Sequence, residues 1–393
     1  MAVCCLAWYG SNAAGGKDDG GPARVSQTSQ VKSGAMWGEE GSAEGQFKGP
    51  SGIAVDSAGK LYVADTNNDR IQIFNGRGRF IDSFGSTGKG NGNLGSPGDV
   101  AVDDEGNAYV VDSENFRVEK FDADGNYLTA WCPDGEIGTG FMRQPAGIAL
   151  DAAGSVYVAD AWQSLILKYD SSGNFITAWG DTLDENGGLF PFRPTYLAVD
   201  SAGNLFATDY YNNRVQKFDA TGALIATWGT EGSGPGEFSY PAGIAVDPSD
   251  NVFVADTFNH RIQQFDNDGN FIAEWGTQGD DDGSFNLPFG VAANASGTIY
   301  VADTFNNRIQ LFDFSDTPCM VTSIFGETDA YTQSMRDFRD RFLAQHAAGR
   351  RLINLYVRTS AMTEPLFEKS PLARKAGRIM LKSLTAVIDL VIP

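Results

Sequence analysis

The sequence predicts an all-β six-bladed propeller with four-stranded antiparallel blades, followed by a small α-helical C-terminal module. Three observations carry this. A core of roughly 47 residues recurs six times between Trp37 and Pro318, a period typical of stacked or radial arrays of supersecondary units. Each copy divides into four short strand-like runs punctuated by Gly, Asn and Asp. Small residues fall in the first run (Ala54, Ala101, Ala149, Ala198, Ala245, Ala292), whereas Trp or Phe ends the fourth. Sheets converging on an axis need that gradient of volume, so a ring is favoured over an open solenoid.

The rhythm is set twice: by Trp37, Phe84, Trp131, Trp179, Trp228 and Trp275, and again by Asp65, Asp112, Asp160, Asp209, Asp256 and Asp303. In the first copy the runs are Gly52 to Asp56, Leu61 to Asp65, Arg70 to Phe74 and Phe80 to Phe84. The first two show little apolar/polar alternation, as expected when both faces of a sheet are covered. Because successive strands alternate in direction, the residues after each repeated Asp and those around each Pro share one end of the ring, the upper face. Tight turns such as Asp56 to Gly59 occupy the other. The sixth copy lacks an outer strand if Cys319 to Gly326 belongs to the tail. Gln30 to Trp37 can supply it, and Met320 to Phe325 is the competing closure.

These residues resemble the NHL repeat family through six in-register copies of Pro-x-Gly-(Ile/Val)-Ala-Val-Asp … Val-Ala-Asp-x-x-Asn-x-Arg-(Ile/Val)-Gln-x-Phe. The resemblance covers about 280 residues and implies six-bladed propellers. The third copy departs from it, with Ala161, Trp162, Gln163, Ser164 and Leu165 where the others carry Asn and Arg; Asp99 and Tyr196 replace the Pro-x-Gly glycine. The opening of the tail, Cys319 to Gly326, with Met335 to Leu343 and Gly349 to Arg358, resembles the bacterial module named for its Cys-Phe-Ile box, with Met320 in place of Phe. That module implies no established activity.

Formal charge is -21. From Glu327 onward 11 Lys/Arg face 7 Asp/Glu, which leaves -25 for the part before it. Nucleic-acid affinity comes largely from Lys and Arg neutralising phosphates, so the RNA binding known for some NHL proteins is disfavoured. Residues 1–29 read as a flexible leader with a possible residual export signal, 30–318 as the propeller and 319–393 as the helical module. An extracytoplasmic or secreted placement, in a bacterial protein, is favoured. Cys4, Cys5, Cys132 and Cys319 fit no zinc spacing. Ile379 to Ile392 is too short to span a bilayer, although the basic C-terminal helices could touch a membrane surface or a partner.

Five copies pair the repeated Asp with an Arg five residues on: Asp65 with Arg70, Asp112 with Arg117, Asp209 with Arg214, Asp256 with Arg261 and Asp303 with Arg308. Catalysis needs one such pair; five are read as blade-locking ion pairs. Asp266 to Asn270 starts like a calcium loop but lacks the sixth-position Gly and twelfth-position Glu, so a hairpin is expected. Asp280, Asp281 and Asp282 are read as solvated charge. Relatives of this architecture include zinc lyases with several histidines and lactonases with axial calcium. Only His260 and His346 are present, which excludes a multi-histidine site. No catalytic grouping, metal site or cofactor is expected.

Recognition is expected from the second residue after each repeated Asp: Asn67, Glu114, Trp162, Tyr211, Phe258 and Phe305. Trp162, Tyr211, Phe258 and Phe305, with Phe116, Tyr196, Tyr210 and Phe289 nearby and Asp99 and His260 as polar candidates, make an aromatic arc in an acidic rim. The expected function is a non-enzymatic scaffold holding a protein, peptide or glycan. The alternative is a lyase or lactonase-like hydrolase with a metal near the axial mouth.

Overall fold

The computed structural model describes residues 32–132, 141–180 and 192–313. They form six four-stranded antiparallel sheets. The chain enters through β1 (Lys32–Trp37) and then builds five blades in sequence order. Blade one holds β2 (Pro50–Val55), β3 (Leu61–Asp65), β4 (Arg70–Phe74) and β5 (Phe80–Phe84); blade two holds β6 (Pro97–Val102), β7 (Ala108–Asp112), β8 (Arg117–Phe121) and β9 (Tyr127–Trp131). Blade three contains β10 (Pro145–Leu150), β11 (Val156–Asp160), β12 (Leu165–Tyr169) and β13 (Phe175–Trp179). Blade four contains β14 (Pro194–Val199), β15 (Leu205–Asp209), β16 (Arg214–Phe218) and β17 (Leu224–Trp228). Blade five contains β18 (Pro241–Val246), β19 (Val252–Asp256), β20 (Arg261–Phe265) and β21 (Phe271–Trp275). Blade six combines β22 (Val291–Ala293), β23 (Ile299–Asp303) and β24 (Arg308–Asp313) with β1.

Every second strand is buried along its whole length. Side chains alternate between the faces of a strand, so burial of all five residues requires cover on both sides. The neighbouring blades supply it. Six apolar clusters lie between successive blades, and the last joins Phe47, Leu61, Val63 and Phe74 of blade one to Tyr300, Ala302 and Ile309 of blade six. Each fully buried Val, Leu or Ile contributes roughly 1.5–3 kcal/mol, which makes the blade interfaces the main source of cohesion.

Closure uses the N-terminal strand. β1 pairs antiparallel with β24, Trp37 opposite Ile309, with a bulge between Ser33 and Ala35. The competing segment Met320 to Phe325, the leader and the expected helical module lie outside the described residues. Each outer aromatic also locks the next blade. Trp37 covers Gly78 in the β4–β5 hairpin, where φ is +80° and an added Cβ would stand 2.3 Å from the indole; only glycine meets both demands.

The inner strands of blades one to five begin earlier than the first-copy pattern suggests. Pro50 is opposite Asp65, and a register shift before Ile53 absorbs the extra residues. Proline has no N–H to give, so an irregular strand start accommodates it. The Asp266 segment is a hairpin turn: the Asp266 carbonyl accepts the Gly269 N–H and its Oδ1 accepts the Asn270 N–H. No helix among the described residues is long and apolar enough to cross a membrane.

Candidate functional site: the upper face

Each second strand ends in a fully buried Asp at the upper face. Asp65 shows the repeated wiring. Its Oδ1 accepts the Lys48 N–H at 2.8 Å, and its Oδ2 accepts Asn68 Nδ2 at 2.9 Å, Arg70 Nε at 2.7 Å and Gln72 Nε2 at 3.1 Å. Arg70 continues to the carbonyls of Ala43 and Gln46, tying the preceding loop to the blade. Asp112–Arg117, Asp256–Arg261 and Asp303–Arg308 pair at 2.7 Å, and Asp209–Arg214 at 2.8 Å. Burial pushes the Asp65, Asp112 and Asp256 carboxyls above the usual range against the opposing pull of these donors. Both oxygens of these aspartates accept hydrogen bonds, and the pairs tie the preceding loops to their blades.

Blade three solves the same problem without arginine. Leu165 stands where Arg stands elsewhere, and Asp160 is held instead by the N–H groups of Arg143, Gln144, Trp162 and Gln163 and by Gln163 Nε2. The main chain substitutes for a guanidinium.

Four residues after the Asp, the chain takes a left-handed conformation in every blade: Asp69, Phe116, Ser164, Asn213, His260 and Asn307. Four of these side chains reach the following blade. Asp69 Oδ1 accepts the Ser96 N–H, Asn213 Oδ1 that of Tyr240, Asn307 Oδ1 that of Gly49, and His260 Nδ1 that of Leu287 at 3.2 Å. An accepting Nδ1 puts the imidazole proton on Nε2, and burial holds the His260 pKa below its ordinary value. His260 therefore sits in an interblade clamp, while Phe116 occupies the equivalent turn in blade two with 43% exposure.

The residues replacing the Pro-x-Gly glycine lie at the axis. At Gly147 an added Cβ would stand 2.2 Å from the Thr195 carbonyl oxygen, and at Gly290 2.0 Å from that of Ser51; the inner strands run too close for side chains there. Asp99 is buried with Oδ1 accepting the Val100 N–H and Oδ2 the Ile148 N–H of blade three. Burial pushes its carboxyl up to about 8. Tyr196 is half-buried, its phenol hydrogen-bonded to the Ser51 side chain and raised by burial and by the Asp99 charge. Ser51, Thr66, Ser113, Thr195, Tyr196, Tyr210 and Phe289 help to line a cavity of about 50 Å³ at the upper mouth.

The aromatic candidates divide into three groups. Tyr210, Tyr211, Tyr240 and Phe258 form one cluster, with ring centroids 5.1 Å apart for Tyr210–Tyr211 and Tyr210–Tyr240, 6.1 Å for Tyr211–Tyr240 and 4.9 Å for Tyr240–Phe258. The Arg193 guanidinium lies 5.3 Å from the Tyr211 centroid. Tyr210 is buried and Phe258 half-buried, so Tyr211 and Tyr240 present the cluster to solvent. Trp162 and Phe305 are 62% and 44% exposed and enter no ring contact among the described residues. Tyr196 and Phe289 belong to the axial mouth instead. Tyr240 and Arg193 are absent from the sequence-derived set; each precedes a repeated Pro, and that position was the available signal.

Among the described residues, no three His, Cys, Asp or Glu side chains converge to hold a metal ion. The NHL repeat is matched at residues 47–74, 94–121, 193–218, 238–265 and 285–312. Blade three, where Gln163, Leu165 and Leu167 replace Asn, Arg and Gln, is the unmatched copy. Over 49 residues the chain is 57% identical to protein brain tumor of Drosophila melanogaster, covering 12% of this chain and 5% of that protein's length. A protein of unknown function from Bacteroides thetaiotaomicron superposes with a TM-score of 0.56 at 19% identity, covering 72% of this chain and 75% of the other. A gluconolactonase of Xanthomonas campestris superposes with a TM-score of 0.52 at 13% identity, covering 75% and 98%. At such identities the likeness concerns the fold alone. The chain carries five NHL repeats within a six-bladed β-propeller.

Proposed function

We propose that this protein is a non-enzymatic binding scaffold whose upper face holds a protein, peptide or glycan. One observation carries the reading: among the described residues, the exposed large apolar side chains are sorted by type. The exposed aromatics Phe116, Trp162, Tyr211, Tyr240 and Phe305 all lie on upper-face loops, whereas the exposed aliphatics Met36, Ile81, Leu128, Ile176, Leu224 and Ile225 all lie on outermost strands. Tyr and Trp supply broad contact area at low entropic cost and carry most hot spots. The sheets beneath are rigid, and the turns bearing these rings are fixed by the buried Asp wiring.

The test uses the full chain against immobilised peptide libraries and glycan arrays. Wild type selects binders, and a Trp162→Ala/Tyr211→Ala variant with unchanged melting loses at least tenfold in affinity for them, about 1.4 kcal/mol. Equal binding by the variant, or binders that contact only the lower turns, would overturn the reading.

A further inference from the structure

Seven residues after the buried Asp, blades one, four, five and six carry a glutamine: Gln72, Gln216, Gln263 and Gln310. In blades one, five and six its amide closes a three-way latch. Nε2 donates to the loop carbonyls of Gln46, Glu237 and Ser284 at 2.7, 2.6 and 2.6 Å. The same nitrogen donates to the Oδ2 of Asp65, Asp256 and Asp303 at 3.1, 3.0 and 3.0 Å. Oε1 accepts the N–H of Gly45, Gly236 and Gly283 at 2.9, 2.8 and 2.9 Å.

Blade two has Glu119 at this position, fully buried. The surrounding latch is the same: Gly92 N–H donates to Glu119 Oε1 at 3.3 Å, and Arg117 Nη2 donates to the Asn93 carbonyl at 2.8 Å as Arg70 Nη2 does to that of Gln46 at 3.0 Å. Oε2 corresponds to the glutamine nitrogen, and it is buried with no hydrogen-bond partner. In the other blades that place is lined by acceptors, a loop carbonyl and the Asp carboxylate. An ionised oxygen there has nothing to accept.

We propose that Glu119 is held as the neutral carboxylic acid, its Oε2–H taking over the donor role of the glutamine amide, so that the blade-two rim loop at 89–93 is fastened by a proton. Charge balance favours this. The groups facing Glu119 are Asp112 at the end of β7, Arg117 on β8 with Nη2 at 3.0 Å from Oε1, and Tyr127 on β9, while the loop side contributes the Gly92 N–H. A neutral Glu119 leaves one Asp and one Arg, as in blades one and six; in blade five a second carboxylate, Glu274, also meets Arg261 but is partly exposed. An ionised Glu119 adds a surplus negative charge that is fully buried, which is costly. Burial pushes the carboxyl up to about 7, more than Arg117 pulls it down.

Below the ordinary glutamate range both folded and unfolded chains carry the proton. As pH rises from about 4.5 toward 7 the unfolded chain releases it first, so folding weakens by up to tenfold per pH unit and then levels off. The experiment compares urea unfolding of the full chain and Glu119→Gln from pH 5 to 8.5. The stability advantage of the glutamine variant is expected to grow with pH and to exceed tenfold in the folding constant by pH 8. Hydrogen exchange at residues 88–95, corrected for intrinsic rates, should accelerate above pH 7 in wild type only. Infrared difference spectra near pH 6 should show a protonated carboxyl band that Glu119→Gln lacks. A pH-independent difference between the two chains, or a variant weaker at pH 8 as loss of an Arg117–Glu119 ion pair would make it, overturns the proposal.

Discussion

Trp37, on the first strand of the ring, pairs with Ile309 on the last, and its indole covers Gly78 in blade one. One residue thus joins the two ends of the ring to each other and to the adjoining blade. Trp37→Ala should lower stability by about 3 kcal/mol, the low end for removing a packed indole, because this ring is only partly buried. Denaturant titration reads the loss. Removal of residues 1–36 should lower the melting temperature as well, and an unchanged melt would contradict closure by β1.

The buried aspartates predict a contrast between blades. Arg261→Ala strips Asp256 of its ion-pair partner and should cost about 3–5 kcal/mol, since an uncompensated buried charge remains. Gln163→Ala removes one neutral donor from Asp160, which keeps four main-chain N–H groups, and should cost about 1.5–3 kcal/mol. Equal losses in urea unfolding would show that the main chain does not replace arginine in blade three.

His260 should make folding weaker in acid. Its pKa is held below the ordinary value by burial, so the unfolded chain binds the proton more readily. The contribution is complete above about pH 6.5 and declines as pH falls, by at most about 1.4 kcal/mol per unit. His260→Asn copies the clamp residue of blades four and six and should remove this part of the acid dependence. Parallel pH profiles for the two chains would contradict the clamp geometry.

Gly147→Ala tests the closeness of the inner strands. The new methyl would meet the Thr195 carbonyl oxygen at 2.2 Å, backbone against backbone, so blades three and four must part. Overpacking of this kind costs about 1–3 kcal/mol or more. A thermal melt reads it, and Gly203→Ala, whose Cβ meets nothing within 4 Å but whose φ is +82°, separates crowding from conformational strain.

Six blades and the closing strand were legible because their cause is periodic: the same volume gradient and the same Asp recur in each copy. The local exceptions were less legible. Tyr240 and Arg193 precede Pro241 and Pro194, and Tyr240 adopts a φ of +51° that composition does not announce. Its place in the aromatic cluster depends on Asn213 of the preceding blade holding its N–H. His260 reads in sequence as a polar candidate for recognition, and its acceptor nitrogen serves Leu287 in the next blade. Contacts between blades join residues about 27 positions apart, and their partners cannot be chosen from a single copy.

Because β1 completes blade six, this strand has no partner in the ring until β24 has been synthesised through Asp313. Five blades can assemble while it waits, but the final hydrogen bonds span almost the whole ring and come late, as pairings of large sequence separation do. During that interval the exposed flank of β24 is the point at which a neighbouring nascent chain could insert its own leading strand.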